Sequence, residues 1–162
     1  MLPLGPGDLD ETAALYGDPE VMRHVAAGIM NRATTSETLE QVERTWHEDG
    51  YGLWAIRDAE TGAFLGEGGL QPGPNLEDVG IDVEVEFGYT MCRRSWGHGY
   101  ATEAAEAILA DAWTRFRGRE IHAVVTSDNL PSQKVLRKLR FKKRRNVDHH
   151  DRPHQLWSVE RA

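Results

Sequence analysis

Apolar and polar residues alternate one by one over residues 81–89, and a stretch with helical spacing follows at residues 101–116. In the first stretch Ile, Val, Val and Phe alternate with Asp, Glu, Glu and Gly, which is typical of a strand with one buried face. In the second, apolar side chains recur every three or four residues, which predicts an amphipathic helix. The sequence therefore predicts a strand that leads through a short loop into a long helix.

The same two periods predict the other elements of one domain of mixed α/β class, residues 1–162. Helices are predicted over residues 8–16, after the N-cap Asp18, from the capping-box pattern Thr34-x-x-Glu37 and over residues 131–139. Strands are predicted in a hairpin of residues 51–57 and 63–71, over residues 120–126, and in a last antiparallel pair formed from Phe141 and from residues 154–159.

The loop between the predicted strand and the long helix contains two glycines and follows an arginine. It is Arg94-Ser95-Trp96-Gly97-His98-Gly99-Tyr100-Ala101-Thr102. Glycines at such a junction let main-chain N–H groups converge, and the helix N-terminus adds its positive dipole end, so the loop suits a pyrophosphate. The alternative is a tight turn without a ligand. A P-loop would need Gly-Lys-Ser/Thr, and a dinucleotide fingerprint would need a third glycine in place of Thr102, so neither is predicted.

Four segments of the chain resemble the GNAT superfamily of N-acetyltransferases, most closely its Rim-type branch, which acetylates the N-termini of ribosomal proteins. They are Asp18-Pro19-Glu20-Val21-Met22, Glu86-Phe87-Gly88-Tyr89, Arg94-x-x-Gly97-x-Gly99-Tyr100-Ala101-Thr102-Glu103-Ala104, and Asn129-x-x-Ser132 running to Leu139-x-Phe141. The resemblance implies a twisted, mostly antiparallel sheet flanked by helices and splayed at the acetyl-CoA site. Its first strand would be short or absent, because only residues 1–4 are left to form it.

The resemblance also implies which residues bind acetyl-CoA, the acyl-donor co-substrate, with no metal involved. The pantetheine arm would follow the main chain of Tyr89, Thr90 and Met91. The pyrophosphate would lie on the glycine loop, at Arg94, Gly97, His98, Gly99, Tyr100 and Ala101, with the hydroxyl of Thr102 added at the helix start. Asn129 would either contact the pantetheine arm or simply cap the next helix.

Glu86 is the candidate general base for direct transfer of the acetyl group to a primary amine. It precedes Gly88 in the matching motif, and Glu84 lies two positions earlier on the same face, roughly 7 Å away. A carboxylate at that distance would raise the proton affinity of Glu86. The alternative is a solvated acidic face.

An α-amine costs only about 1 kcal/mol to neutralise at pH 7, against about 4.6 kcal/mol for a lysine, which favours a protein N-terminus as acceptor. A small amine such as an antibiotic or polyamine, or a CoA-binding domain without turnover, is the alternative.

Two positions differ from the commonest family pattern. Leu136 stands where many members have a tyrosine acid, so Ser132 is the candidate that faces the leaving sulfur, although it could equally be a plain helix-start residue. Arg140 stands where the family usually has glycine before Phe141.

Composition and charge narrow the possible partners. The net charge of −7 argues against non-specific nucleic-acid binding and favours a cationic acceptor. No apolar run approaches the ~20 residues of a membrane span, and no export signal opens the chain. The single cysteine, Cys92, excludes an internal disulfide, so we expect a cytoplasmic protein. A second subunit could cover the weak sheet edge, which makes a homodimer possible.

Overall fold

The computed structural model describes residues 1–73, 83–116 and 119–161. Its helices are α1 Leu9–Tyr16, α2 Pro19–Met22, α3 Arg32–Asp49, α4 Tyr100–Arg115 and α5 Leu130–Lys138. Its strands are β1 Leu2–Pro3, β2 Leu53–Arg57, β3 Phe64–Pro72, β4 Val85–Met91, β5 Ile121–Thr126, β6 Lys142–His149 and β7 Arg152–Val159. The predicted start of the central strand, residues 81 and 82, lies outside the described residues.

The strands form one mixed sheet in the order β1-β2-β3-β4-β5-β7-β6. Every neighbouring pair is antiparallel except β4 and β5, which run parallel and are connected through α4. This confirms the predicted α/β fold with a mostly antiparallel sheet. The first strand is indeed short, because only two residues pair with β2. No helix within the described ranges is long and apolar enough to cross a membrane.

Each face of the sheet is covered by a separate apolar cluster. On one face, the buried side of α4 packs with side chains of β4, β5, α5 and β7, including Ile108, Phe87 and Trp157. On the other face, α1, α2 and α3 cover β2 and β3 through residues such as Leu15 and Leu39. The alternation of β4 places Phe87 and Tyr89 on the α4 side, and Glu86 on the opposite side.

Helix α3 begins earlier than the sequence pattern predicts. Its N-cap is Asn31, whose side chain accepts a hydrogen bond from the N–H of Thr34 at 2.9 Å. The predicted capping box with Thr34 as N-cap is therefore wrong, because asparagine provides the same side-chain acceptor one turn earlier.

Helix α5 ends in a Schellman motif despite the arginine at its glycine position. The N–H of Phe141 donates to the carbonyl of Leu136 at 3.0 Å, and the N–H of Arg140 donates to that of Arg137 at 3.1 Å. Arg140 adopts the left-handed conformation with φ of 65°. The turn that glycine usually makes is thus kept, with a non-glycine residue in an unfavourable conformation.

Candidate active site

Strand β4 pairs with β3 along one edge, so alternate residues turn their main chain toward β5. The N–H of Cys92 donates to the carbonyl of Leu65 at 2.8 Å. Because bonded positions alternate along an antiparallel ladder, even-numbered residues of β4 bond to β3. The main-chain N–H and C=O groups of Tyr89 and Met91 therefore point toward β5. Those of Thr90 point toward β3 and bond to Glu67. This corrects the expectation that the main chain of Thr90 is offered to a ligand.

Strands β4 and β5 meet at the pair of Glu86 and His122. From there β4 continues along β3 to Met91, and β5 continues along β7 to Thr126. Within the described residues, this is the only ladder pair between β4 and β5. The strands are therefore joined at one end, and beyond it their main-chain edges are not paired with each other in the described part of the chain.

The carboxyl group of Glu86 lies at this junction. Nε2 of Gln71 donates a hydrogen bond to Oε2 of Glu86 at 3.0 Å, and the main-chain N–H of Val124 donates to the same carboxyl group. Burial raises the pKa of Glu86 above its usual range, and the two hydrogen bonds oppose that shift. A carboxylate that is held in place and has a raised pKa is suited to accept a proton from an amine.

Glu84 has a different environment although it lies only two residues from Glu86. It is exposed and forms an ion pair with Arg119. The raised pKa of Glu86 results from burial and not from a repulsive charge on Glu84. The predicted electrostatic effect of Glu84 on Glu86 is therefore wrong, because Arg119 compensates the Glu84 charge at the surface.

Ser132 lies on the other side of the opening. Its hydroxyl accepts a hydrogen bond from the hydroxyl of Tyr89 at 3.2 Å. Burial raises the pKa of Tyr89, so this phenol keeps its proton. The side chain of Asn129 accepts from the N–H of Ser132 at 3.1 Å, which is N-cap geometry for α5. Of the two roles considered for Asn129, capping is the one that its contacts provide.

The glycine loop has the backbone that its sequence predicts. Gly97 and Gly99 have φ of 78° and 87°, and a Cβ at either position would meet no atom within 4 Å. The loop surface is therefore open to a ligand. Gly99 caps α4, so the first N–H groups of this helix, at Tyr100 and Ala101, have no partners within the helix. The rings of His98 and Tyr100 stack with centroids 5.8 Å apart.

Three side chains attach this loop to the sheet, and one of them is Ser95, whose hydroxyl donates to the carbonyl of Leu65 at 3.0 Å. The indole N–H of Trp96 donates to the carbonyl of Met91 at 2.9 Å, which leaves only the N–H of Met91 for a ligand. The guanidinium of Arg94 donates to the carbonyl of Phe64. Arg94 therefore holds the loop against β3, and only its other N–H groups can serve an anion.

A model of the acetyltransferase (GNAT) domain matches residues 1–142 of the chain. The chain belongs to the GNAT family. It is therefore an acyltransferase that uses acetyl-CoA. The open edge of β4, the glycine loop and the free N–H groups of α4 fit this co-substrate, because they offer donors along an extended path that ends at a helix N-terminus.

Two curated relatives support this assignment. The GNAT chain is 34% identical to the protein YkkB of Bacillus subtilis over 127 residues, which is 77% of this chain and 70% of YkkB. It is 31% identical to the FsC-acetyl coenzyme A-N(2)-transacetylase of Aspergillus fumigatus over 144 residues, which is 84% of this chain but only 59% of the fungal protein.

Solved structures show the same fold. A GNAT-family acetyltransferase from Bordetella pertussis superposes with a TM-score of 0.82 over 97% of this chain and 92% of its own, at 23% identity. At that identity the likeness establishes the fold and leaves the acceptor open. Among the described residues of this GNAT chain, no group of three or more His, Cys, Asp or Glu side chains is placed to hold a metal ion.

Sequence reasoning missed one acidic residue of this GNAT site, Glu67 in β3. It is only 4% exposed and lies opposite Thr90 in the register. Burial raises its pKa to about 7, against the hydrogen bonds from the hydroxyls of Thr90 and Tyr16. Glu67 thus connects α1 to the strand that carries Glu86. The sequence feature that could have identified Glu67 is its position, as an acidic residue inside the apolar segment 63–71.

A second missed residue is His122, the register neighbour of Glu86. Its Nδ1 is buried and has no hydrogen-bond partner among the described residues, and its Nε2 lies 3.5 Å from Glu120. Burial lowers the pKa of His122, so the ring beside Glu86 is neutral at pH 7.

Proposed function

We propose that this GNAT acetyltransferase transfers acetyl directly from acetyl-CoA to the α-amine of a protein N-terminus, with Glu86 as the general base. The observation that carries the proposal is the position of the Glu86 carboxyl group at the point where β4 and β5 separate. A base at that point lies beside the end of the path available to the pantetheine arm. The amine can therefore meet both the thioester and the carboxylate.

The main-chain and loop groups described above would hold acetyl-CoA, which supplies an acetyl group activated as a thioester. The N–H groups of Tyr89 and Met91 would orient the pantetheine arm, because they face away from β3. Gly97, His98, Gly99, Tyr100 and Ala101 would surround the pyrophosphate, with Thr102 at the helix start. Arg94 would stabilise this loop and complement the phosphate charge.

The proton of the amine would leave toward Glu86. Gln71 and Val124 fix the orientation of the carboxyl group by hydrogen bonds, so little reorganisation is needed when it accepts the proton. The raised pKa of Glu86 makes it a stronger base than an exposed glutamate. A carboxylate suffices for an α-amine, which costs only about 1 kcal/mol to neutralise at pH 7.

Ser132 would donate a hydrogen bond to the departing sulfur. Its oxygen accepts from Tyr89, which leaves the serine proton directed to another acceptor. A thiol has a pKa of about 8.5, so partial proton donation is sufficient to help it leave. Tyr89 thereby contributes a hydroxyl to the site from β4, although the α5 position where the family often has tyrosine is Leu136.

A small-molecule amine is the second candidate acceptor. One curated relative is named as an N(2)-transacetylase acting on FsC, and the chain covers 59% of that protein. The resemblance of the glycine-loop sequence to the Rim-type branch favours the α-amine of a peptide. A CoA-binding domain without turnover is the non-enzymatic alternative.

Thiol release from acetyl-CoA separates these candidates. Purified protein is incubated with acetyl-CoA and with either short peptides of varied first residue or a panel of polyamines and aminoglycosides. Faster thiol release with free peptides than with N-terminally blocked peptides supports the α-amine. Release with small amines alone would support the second candidate, and CoA binding without release in either panel would identify the non-catalytic domain.

A further inference from the structure

Gly88 in the middle of β4 has no structural reason to be glycine. A glycine inside a strand destabilises it, and its usual justification is a positive φ or a close neighbour. Gly88 is not among the described glycines with positive φ, and a Cβ built on it would meet no atom within 4 Å. By contrast, a Cβ on Gly68 in β3 would lie 2.7 Å from the Cβ of Tyr89. Packing therefore explains Gly68 and does not explain Gly88.

The missing side chain leaves a space on the face of the sheet that carries Glu86. Residues two apart in a strand share a face, so Glu86 and Thr90 flank Gly88 at roughly 7 Å on either side. The Thr90 hydroxyl is hydrogen-bonded to the buried carboxyl group of Glu67. The open floor at Gly88 thus lies between Glu86, which carries a carboxyl group, and Thr90, whose hydroxyl is already bonded to one.

The direction of this space separates it from the path of the pantetheine arm. The main-chain groups of Tyr89 and Met91 point within the plane of the sheet toward β5. The space at Gly88 lies above the face of the sheet, perpendicular to that direction. Two substrates can therefore approach the junction at Glu86 along different directions.

We propose that the space above Gly88 is the slot through which the acceptor's primary amine reaches Glu86. The inference rests on the proposed acetyl transfer and specifies where its second substrate binds. A bare glycine floor admits the amine nitrogen and the carbon that bears it, and the carboxyl group of Glu86 beside it favours a cationic acceptor over a neutral one. The class of ligand is a primary amine with a compact group next to the nitrogen.

The test replaces Gly88 by alanine and valine and measures acceptor kinetics and cofactor binding separately. We expect Gly88→Ala to lower kcat/KM for the acceptor about 10-fold or more, and Gly88→Val to lower it further, because each added methyl group fills the slot. The dissociation constants for CoA and acetyl-CoA, measured by calorimetry, should stay unchanged. The loss should be larger for peptides that begin with leucine than for those that begin with glycine.

Gly7→Ala is the matched control, because Gly7 also has no atom within 4 Å of an added Cβ and lies in the turn Pro6–Asp8, outside the strands and helices that carry the site. Melting temperatures of all variants verify folding, and Gly88→Ala decides the question if Gly88→Val does not fold. Unchanged acceptor kinetics in Gly88→Ala would overturn the proposal. Loss of acetyl-CoA binding with CoA binding retained would also overturn it, by assigning the space to the acetyl group. Absence of turnover in the wild-type protein would instead contradict the proposed function.

Discussion

The hydroxyl of Tyr89 in β4 donates a hydrogen bond to the hydroxyl of Ser132 in α5 at 3.2 Å. This contact joins β4 to the first turn of α5. It brings together two residues that are 43 positions apart in the sequence. Since a hydroxyl can accept and donate at the same time, Ser132 keeps its own proton to donate while it accepts from Tyr89.

Removing either hydroxyl should slow acetyl transfer. We expect Ser132→Ala to lower kcat by about 2- to 13-fold, which corresponds to one hydrogen bond of about 0.5–1.5 kcal/mol. Tyr89→Phe should have a similar effect, and the double variant should be no slower than Ser132→Ala, because both act through one contact. Initial rates at saturating acetyl-CoA measure this. Thr114→Ala, an exposed hydroxyl on α4, serves as control, and an unchanged kcat in Ser132→Ala would reduce Ser132 to a helix-start residue.

Glu67 should make the stability of the protein depend on pH. Its folded-state pKa of about 7 lies above the 4.5 of a free glutamate, so the folded state binds the proton more tightly than the unfolded state. The free energy of unfolding should therefore fall as the pH rises from about 4.5 to 7, by about 3 kcal/mol at most. Below pH 4.5 both states are protonated, and this destabilisation is absent.

Urea unfolding of Glu67→Gln between pH 5 and 8 measures this contribution. The glutamine cannot ionise, so the variant should gain stability relative to the wild type as the pH rises. Glu40→Gln on the exposed side of α3 controls for the loss of one negative charge. A difference between Glu67→Gln and the wild type that is the same at every pH would contradict a raised pKa at Glu67.

Arg140→Gly should stabilise the protein. Arg140 holds a φ of 65° at the end of α5, where glycine has no steric penalty. We expect a gain of about 1 kcal/mol in the free energy of unfolding. Arg140→Ala removes the same side chain and keeps the unfavourable conformation, so it should show no gain. Equal stability of the two variants in urea unfolding would show that the conformation carries no strain.

The local pattern of apolar and polar residues predicted those strands and helices in which that pattern repeats regularly. The alternation before Tyr89 and the glycines at positions 97 and 99 specified a strand, a loop and a helix, and the structure has all three. The start of α3 was missed because Asn31 and Thr34 are both good N-caps, and only the three-dimensional path of the chain selects between them.

The partners within the site depend on sheet order, which the pattern of residues does not contain. Gln71 and Val124 meet Glu86 only because β3 and β5 lie on either side of β4. The ion pair between Glu84 and Arg119 likewise joins residues 35 positions apart, on either side of α4. The hydrogen bonds of Glu67 to Tyr16 of α1 and to Thr90 of β4 likewise join elements whose proximity no local pattern predicts.

The rate of acetyl transfer by Glu86→Gln across pH 6–9 tests the central claim most directly. Glutamine keeps the size of the side chain but cannot accept the proton, so CoA should bind as in the wild type while kcat/KM for the acceptor falls 10²–10⁴-fold at pH 7. In the wild type, activity should rise as the pH passes the raised pKa of Glu86, because the ionised carboxylate is the active form. The deficit of the variant should shrink at high pH, where solvent supplies the neutral amine.

Glu84→Gln is the matched control, since it removes a carboxylate only two residues before Glu86 and should leave the rate nearly unchanged. The account predicts a large loss in Glu86→Gln, a small one in Glu84→Gln, and intact CoA binding in both. Near-full activity of Glu86→Gln at pH 7 with a competent acceptor would contradict it, and Glu86 would then be a structural residue at the junction of β4 and β5.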